Sequence, residues 1–255
     1  MNNIRKILIF VVAYNAKLHI RSLLDRIPQS LWEEADEFLI SDDSSLDNTY
    51  EVALGYKQEK QLKKLKVVKQ KKNLGYGGNQ KWGYDYAIKN GFDIVVLLHG
   101  DEQYPPEHIN LLINSIKKEN SDFVFGSRMT GKPRKGGMPI YKFIGNKFLS
   151  SVENLFLHTN LSEFHSGFRA YNVHALNQIP FERCSDDFHF DSEIIVQLII
   201  AKKKISEFTI PTRYGIEKCY VNPVLYGFNI LKLLSEYWMH KTGFKKNRKF
   251  SFSFN

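Results

Sequence analysis

Three apolar runs, each emptying into a short polar loop, constrain this chain more than any other feature. Residues 7–12 lead into Ala13-Tyr14-Asn15, residues 38–40 into Ser41-Asp42-Asp43-Ser44-Ser45, and residues 94–98 into His99-Gly100-Asp101-Glu102-Gln103. In an open α/β sheet the carboxyl ends of the strands line one crevice, so side chains placed just after three strands converge on a single ligand. Carboxylates at that edge can hold a ribose hydroxyl or a divalent cation.

The rest of the chain supplies the sheet. Strand-like runs at 6–12, 37–40, 66–69, 94–98 and 122–126 alternate with helical stretches near 18–26, 48–58, 79–90 and 106–119. This alternation predicts an α/β fold with a mostly parallel sheet covered by helices on both faces. Asp47 is placed to cap the helix that follows it, and Pro106 suits a first helical turn, where its missing N–H costs nothing. After Gly126 the pattern loosens into a basic, turn-rich loop at 132–139, a candidate flap. Then come a helix near 141–156, a strand near 168–172, a helix near 189–203 and a strand near 205–210.

A chain of 255 residues that is 43% hydrophobic can bury one substantial core without dividing. Two cysteines, Cys184 and Cys219, make no disulfide framework and suit a reducing compartment, with core packing as their default role. Residues 1–6 enter a strand-like run with no apolar leader and cleavage site, and no stretch reaches the roughly 20 apolar residues that cross a bilayer. A cytoplasmic protein is expected.

The formal charge of +9 is unevenly placed. Eight lysines fall between Lys57 and Lys72, and five cations between Lys241 and Lys249. The first group fits a solvated helix face and turn. The second follows residues 224–239, where Val224, Phe228, Leu231, Leu234 and Trp238 recur at helical spacing. Such a stripe beside basic residues fits a helix lying in a membrane interface near anionic lipid, or one packed on its own domain. No RNA- or DNA-binding module is present, so nucleic acid is not an expected partner.

The ordered motifs resemble those of the family 2 inverting glycosyltransferases, which have the GT-A nucleotide-sugar-binding fold. Within that family the likeness is greatest to the dolichol-phosphate mannose synthase-like polyprenyl-phosphate hexosyltransferases. It rests on Ala13-Tyr14-Asn15, on Asp42-Asp43-Ser44-Ser45-Leu46-Asp47-Asn48-Thr49 and on Asn73-Leu74-Gly75-Tyr76-Gly77-Gly78-Asn79. Further on come Asp101-Glu102-Gln103-Tyr104-Pro105-Pro106, Gly126-Ser127-Arg128 and Ser166-Gly167-Phe168-Arg169. The resemblance implies a catalytic domain over residues 1–215 and a helical, basic C-terminal extension over 216–255.

It also implies roles. Ala13, Tyr14, Asn15, Asp42, Asp43, Gly75 and Asp101 would meet the nucleoside diphosphate sugar, with Gly75, Gly77 and Gly78 letting the backbone approach an anion at a helix start. Asp101 and Gln103 would hold Mg²⁺ or Mn²⁺. The family's first acid is replaced by His99, a softer ligand that would favour Mn²⁺ or stand outside the coordination sphere. Arg128 and Arg169 would meet the acceptor phosphate, since guanidinium groups match phosphate through paired donors; Arg213 is a weaker candidate. Glu163 would orient the nucleophile or act as base, with Glu193 as its rival. An anionic phosphate acceptor needs no strong base, whereas a sugar hydroxyl does.

The expected reaction is transfer of a hexose from a nucleoside diphosphate sugar to a polyprenyl phosphate, with peripheral contact at the membrane's inner face through the C-terminal segment. Transfer to a sugar hydroxyl of a glycan or glycolipid is the alternative within the class. Outside it stand a nucleotide-sugar-binding protein without catalysis and a nucleotidyltransferase. The latter would need a Gly-rich, Arg-containing loop after the first strand, which Ala13-Tyr14-Asn15-Ala16-Lys17 does not supply.

Overall fold

The computed structural model describes residues 5–213 and 220–253. Its elements in chain order are β1 (Ile7–Ala13), α1 (Ile20–Asp25), α2 (Gln29–Glu34), β2 (Glu37–Asp42), α3 (Thr49–Glu59), β3 (Leu65–Lys69), α4 (Tyr76–Lys89) and β4 (Ile94–His99). They continue with α5 (Ile109–Glu119), β5 (Phe123–Ser127), α6 (Ile140–Leu157), β6 (Arg169–Asn172), α7 (Val173–Leu176), α8 (Phe190–Ile200), β7 (Ile205–Thr209) and α9 (Pro223–Lys241).

The continuous apolar strands divide their side chains between two cores. Leu8, Phe10 and Val12 of β1 join one cluster with α4 and α8, while Ile7, Ile9 and Val11 join another with α1 and α5. Burial on both faces is what a near-unbroken hydrophobic strand requires. Gly83 of α4 permits this packing, because a Cβ there would meet the Phe10 ring at 2.1 Å.

The seven strands lie in the order β3-β2-β1-β4-β6-β5-β7. Pairing is parallel except that β6 runs antiparallel to both neighbours, β4 and β5. Arg169 opens β6 opposite Leu97 near the end of β4 and Phe125 near the end of β5. A strand start is thereby delivered to the edge where the other strands finish.

The expected strands and long helices are present within a few residues. Helices α2 and α7 are additions; both are short, and their sequences carry too few turns to reveal a period. Asp47 does serve the start of α3, accepting from Thr49 N at 3.0 Å.

Helix α9 packs against α6 and buries Ile230, Leu233, Leu234 and Tyr237. The tail beyond it folds back. Phe250 is buried with its ring 5.7 Å from that of Tyr237, and Lys249 Nζ reaches Glu193 at 2.7 Å and Glu236 at 3.0 Å. Of the five cations after residue 240, Lys249 is therefore spent inside the protein, while Lys241, Lys245, Lys246 and Arg248 are exposed. The residue 215/216 boundary, Cys219 and residues 1–4 lie outside the described residues.

Candidate active site

The loops after β1, β2 and β4 each turn through one residue with positive φ: Asn15 at 50°, Ser44 at 60° and Glu102 at 61°. They are bonded to one another. Asp43 N donates to Ala13 O at 2.8 Å, Asn15 N to Ser45 Oγ at 2.8 Å, Leu46 N to Asn15 Oδ1 at 3.0 Å, and Gly100 N to Val12 O at 2.9 Å. The predicted donor residues Ala13, Tyr14, Asn15, Asp42 and Asp43 thus form one crevice at the carboxyl edge. Tyr14 is exposed and meets the Tyr220 ring edge-on at 5.8 Å.

The two acids of that crevice carry internal work. Asp42 is buried and accepts from Ser45 N at 3.3 Å and from the Ser45 hydroxyl. Asp43 accepts from Leu74 N at 2.7 Å and Gly75 N at 3.1 Å. Burial pushes both carboxyls above the usual range, against these hydrogen bonds. They brace the loops that frame the crevice.

The glycine cluster departs from expectation. The N–H groups of Gly77 and Gly78 point at the Asp186 carbonyl, at 2.7 and 3.3 Å, and so are committed to the loop before α8. A Cβ on Gly75 would lie 2.6 Å from that carbonyl oxygen, and one on Gly77 2.4 Å from Ser185 O. Gly75, at φ +80°, and its neighbours permit close packing of α4 on this loop; they are not an open anion cradle.

Beside the crevice lies a cavity of about 480 Å³. His99, Asp101, Gln103, Arg128 and Asp191 line it together with residues of α6 and of the start of α9. Asp101 Oδ1 accepts from Gln103 N at 3.0 Å, which pins the loop. His99 is wedged between Tyr76 and Tyr104, with ring centroids at 5.6 and 5.0 Å, and its Nε2 lies 3.4 Å from Tyr76 Oη. Burial lowers the His99 imidazole despite the Asp101 charge, which keeps it neutral at neutral pH. Among the described residues no group of three or more His, Cys, Asp or Glu side chains forms a self-sufficient metal cage. One carboxylate and one amide at a cavity wall instead suit a hard cation that completes its shell with phosphate oxygens and water.

The two predicted phosphate-binding arginines part company. Arg128 lines the cavity and is held from behind by Glu163, whose carboxylate accepts from Arg128 N at 2.8 Å and Nε at 3.0 Å, and from Asn146 Nδ2 at 2.9 Å. Burial works to raise the Glu163 carboxyl, but the Arg128 charge and these hydrogen bonds together hold it below the ordinary range. Glu163 itself is fully buried and does not line the cavity, so it positions Arg128 and is out of place for a base.

Arg169 is 1% exposed, and its guanidinium donates to the carbonyls of Ser166, Asp191 and Phe164 at 2.5, 2.8 and 2.9 Å. It also lies 3.2 Å from Asp191 Oδ1. Surrounded by backbone oxygens, it faces the interior and not the acceptor. Arg213 is exposed and away from the cavity lining.

Asp191 is the residue that sequence reasoning passed over. It accepts from Tyr76 Oη at 2.8 Å and Gln80 Nε2 at 3.3 Å, pairs with Arg169, and faces the cavity. The rival acid Glu193, two residues on, is turned inward to Ser185 N and Lys249. The available signal was position in the first turn of α8, where consecutive odd residues point to different sides.

Comparison with known proteins agrees with this fold. The chain is 29% identical over 221 residues to UDP-N-acetylglucosamine–dolichyl-phosphate N-acetylglucosaminyltransferase of Methanococcus voltae, covering 82% of this chain and 86% of that protein. It is 25% identical over 214 residues to undecaprenyl-phosphate mannosyltransferase of Micrococcus luteus, covering 80% and 82%. Glucosyl-3-phosphoglycerate synthase from Mycobacterium tuberculosis, crystallised with Mn²⁺, uridine diphosphate and phosphoglyceric acid, has the same fold. Its TM-score is 0.69 at 16% identity, over 90% of this chain and 77% of that one. Residues 8–179 match the model of glycosyl transferase family 2, and the chain is a glycosyltransferase belonging to that family.

Proposed function

We propose that this enzyme transfers a hexose from a nucleoside diphosphate sugar to a polyprenyl phosphate at a membrane surface. The observation that carries the reading is Arg128. Its guanidinium is locked by Glu163 on the wall of a cavity that also presents Asp101 and Gln103, so an anionic acceptor and a leaving diphosphate can face one another across a sugar. The nucleoside sits in the crevice of Ala13, Tyr14, Asn15 and Asp43, and the two relatives named above are both named for lipid-phosphate acceptors.

Asp101 and Gln103 would hold Mg²⁺ or Mn²⁺, and the ion would supply positive charge against the departing diphosphate. His99, neutral and packed between two tyrosines, shapes this wall. Asp191, fixed by Arg169 and Tyr76, faces the same cavity. A phosphate acceptor already carries negative charge and needs only alignment by Arg128.

The membrane reading rests on exposed apolar side chains near the cavity mouth. Ile140, Tyr141, Ile144 and Phe148 of α6 and Val224, Leu225 and Phe228 of α9 are each more than half exposed. Lys132, Arg134, Lys135 and Lys147 lie exposed nearby in sequence. Apolar area with basic neighbours suits an anionic bilayer, which also presents a lipid-linked substrate. Among the described residues no helix is long and apolar enough to cross a membrane.

The cavity-facing Asp191 favours a second reading, in which it acts as base for a sugar hydroxyl. A screen of labelled nucleotide sugars with Mn²⁺, against polyprenyl phosphate and against membrane glycan, separates the two by product. Labelled lipid phosphate supports the first. Labelled glycan alone supports the second, and neither transfer nor nucleotide-sugar hydrolysis leaves a binding protein.

A further inference from the structure

The loop that carries Asp101 and Gln103 is gripped from outside the cavity by α1. Asp101 and Gln103 line the cavity, whereas Glu102 between them does not. At φ 61° Glu102 turns through the left-handed region, and its side chain lies against α1, 15% exposed. There its carboxylate accepts from Ser22 Oγ at 2.5 Å and lies 3.3 Å from His19 Nδ1 and 3.6 Å from Arg26 Nη1. Arg26, the C-cap of α1, also donates from Nε and Nη2 to the two carboxylate oxygens of Glu107, at 2.8 and 3.0 Å. Glu107 belongs to the short 3₁₀ turn Pro106–His108 that ends the loop. One guanidinium thus reaches both flanks of residues 103–106.

We propose that Arg26 is a positioning residue for the divalent cation, holding Glu102 and Glu107 so that Asp101 and Gln103 face one ion. This rests on the reading of Asp101 and Gln103 as metal ligands. Two ligands two residues apart share an ion only if the backbone between them keeps its turn, and that turn passes through a conformation that an L residue seldom adopts unaided. The tether to α1 supplies the constraint, because α1 is itself anchored in the core through Ile20, Leu23 and Leu24. Arg26 is cationic at every working pH. Burial works to raise the Glu107 carboxyl, but its hydrogen bonds to Arg26 hold it below the ordinary carboxylate range. The tether stands whichever ring nitrogen of His19 carries a proton. The sign of the electrostatics separates this role from a plain charge effect. Removing a cation near a Mn²⁺ site tightens binding if only the Coulomb field matters, whereas loss of positioning weakens it.

The test titrates Mn²⁺ into the full chain with uridine or guanosine diphosphate present, following free Mn²⁺ by electron paramagnetic resonance, with steady-state transfer and thermal melts beside it. Arg26→Gln is expected to weaken Mn²⁺ binding, and to raise the Mn²⁺ concentration that gives half-maximal rate, by about tenfold, while kcat at saturating Mn²⁺ stays within about twofold. Arg26→Lys, which keeps the charge but loses the planar fork, should weaken binding by about threefold. Arg26→Gln combined with Glu102→Gln should be no worse than the poorer single variant, since both act through one loop. Mn²⁺ binding unchanged or tightened in folded Arg26→Gln protein overturns the proposal, even if the thermal midpoint falls, and additive losses in the double variant overturn it too. If Arg26→Gln does not fold, Arg26→Lys decides, and unchanged Mn²⁺ binding there is the overturning result. A wild-type chain that binds no Mn²⁺ with either nucleotide overturns the metal reading and the positioning role with it, whereas Mn²⁺ binding indifferent to Arg26 overturns the positioning role alone.

Discussion

Glu163 holds both the main chain and the side chain of Arg128, through its backbone N–H at 2.8 Å and its Nε at 3.0 Å. One buried carboxylate thus fixes where β5 ends and where its guanidinium points. Glu163→Gln is expected to lower stability by about 3 kcal/mol, because breaking a buried pair leaves a charge uncompensated. The Glu163 carboxyl is held below its ordinary value of 4.5. Its contribution is therefore complete above that pH and disappears as the pH falls through the lower folded-state value. Urea unfolding of both proteins across pH should show a gap at neutral pH that closes in acid; a gap that widens in acid would contradict the assignment.

Arg128 and Arg169 should respond differently to lysine. Arg128→Lys is expected to raise the acceptor KM about tenfold with donor affinity retained, since lysine lacks the planar fork. Arg169→Lys strips hydrogen bonds from three buried carbonyls and should cost several kcal/mol of stability, on the order of a buried network lost. Thermal melts beside kinetics distinguish them; a stable Arg169→Lys protein defective only in acceptor KM would return Arg169 to the phosphate.

The separation of these arginines shows what the sequence can and cannot carry. Their motifs are equally plain, and both lie at the correct edge, yet side-chain direction depends on strand sense. Arg128 leaves a parallel strand, whereas Arg169 enters the antiparallel β6. Strand sense is a long-range pairing property with no local periodic signature. The apolar runs of β1, β2 and β4 needed no such information, and their loops were legible at once. The glycine cluster was misjudged for a similar reason, because the Asp186 carbonyl that occupies it comes from a segment over a hundred residues away.

Removal of the Asp101 carboxylate should abolish most turnover. Asp101→Asn is expected to lower kcat by about a hundredfold or more, the scale of losing a leaving-group stabiliser. His99→Ala should instead shift the ratio of Mn²⁺- to Mg²⁺-supported rates. Activity of Asp101→Asn near wild type in the presence of EDTA would sink the metal assignment.

The C-terminal region divides into a packed part and an exposed part. Phe250→Ala should cost about 3–5 kcal/mol, as for other buried aromatic truncations, and lower the thermal midpoint without changing lipid affinity. Phe228→Glu, at a position 64% exposed, should leave the midpoint within about a degree and reduce flotation with anionic liposomes, more so as salt screens the remaining attraction. Equal flotation of the two variants would place the lipid contact elsewhere.

The cavity's closing wall comes from α9, although every motif through Arg169 lies earlier in the chain. Synthesis proceeds from the N-terminus, and domains fold as they emerge. A nascent chain that has reached only β7 therefore has the crevice proposed for the nucleotide, Asp101 and Arg128, but lacks the cavity-lining Tyr220, Pro223 and Tyr226. On the proposed reading, donor recognition can mature before the acceptor chamber exists. The order of residues along the polypeptide thus withholds a complete transfer site until α9 has docked on α6.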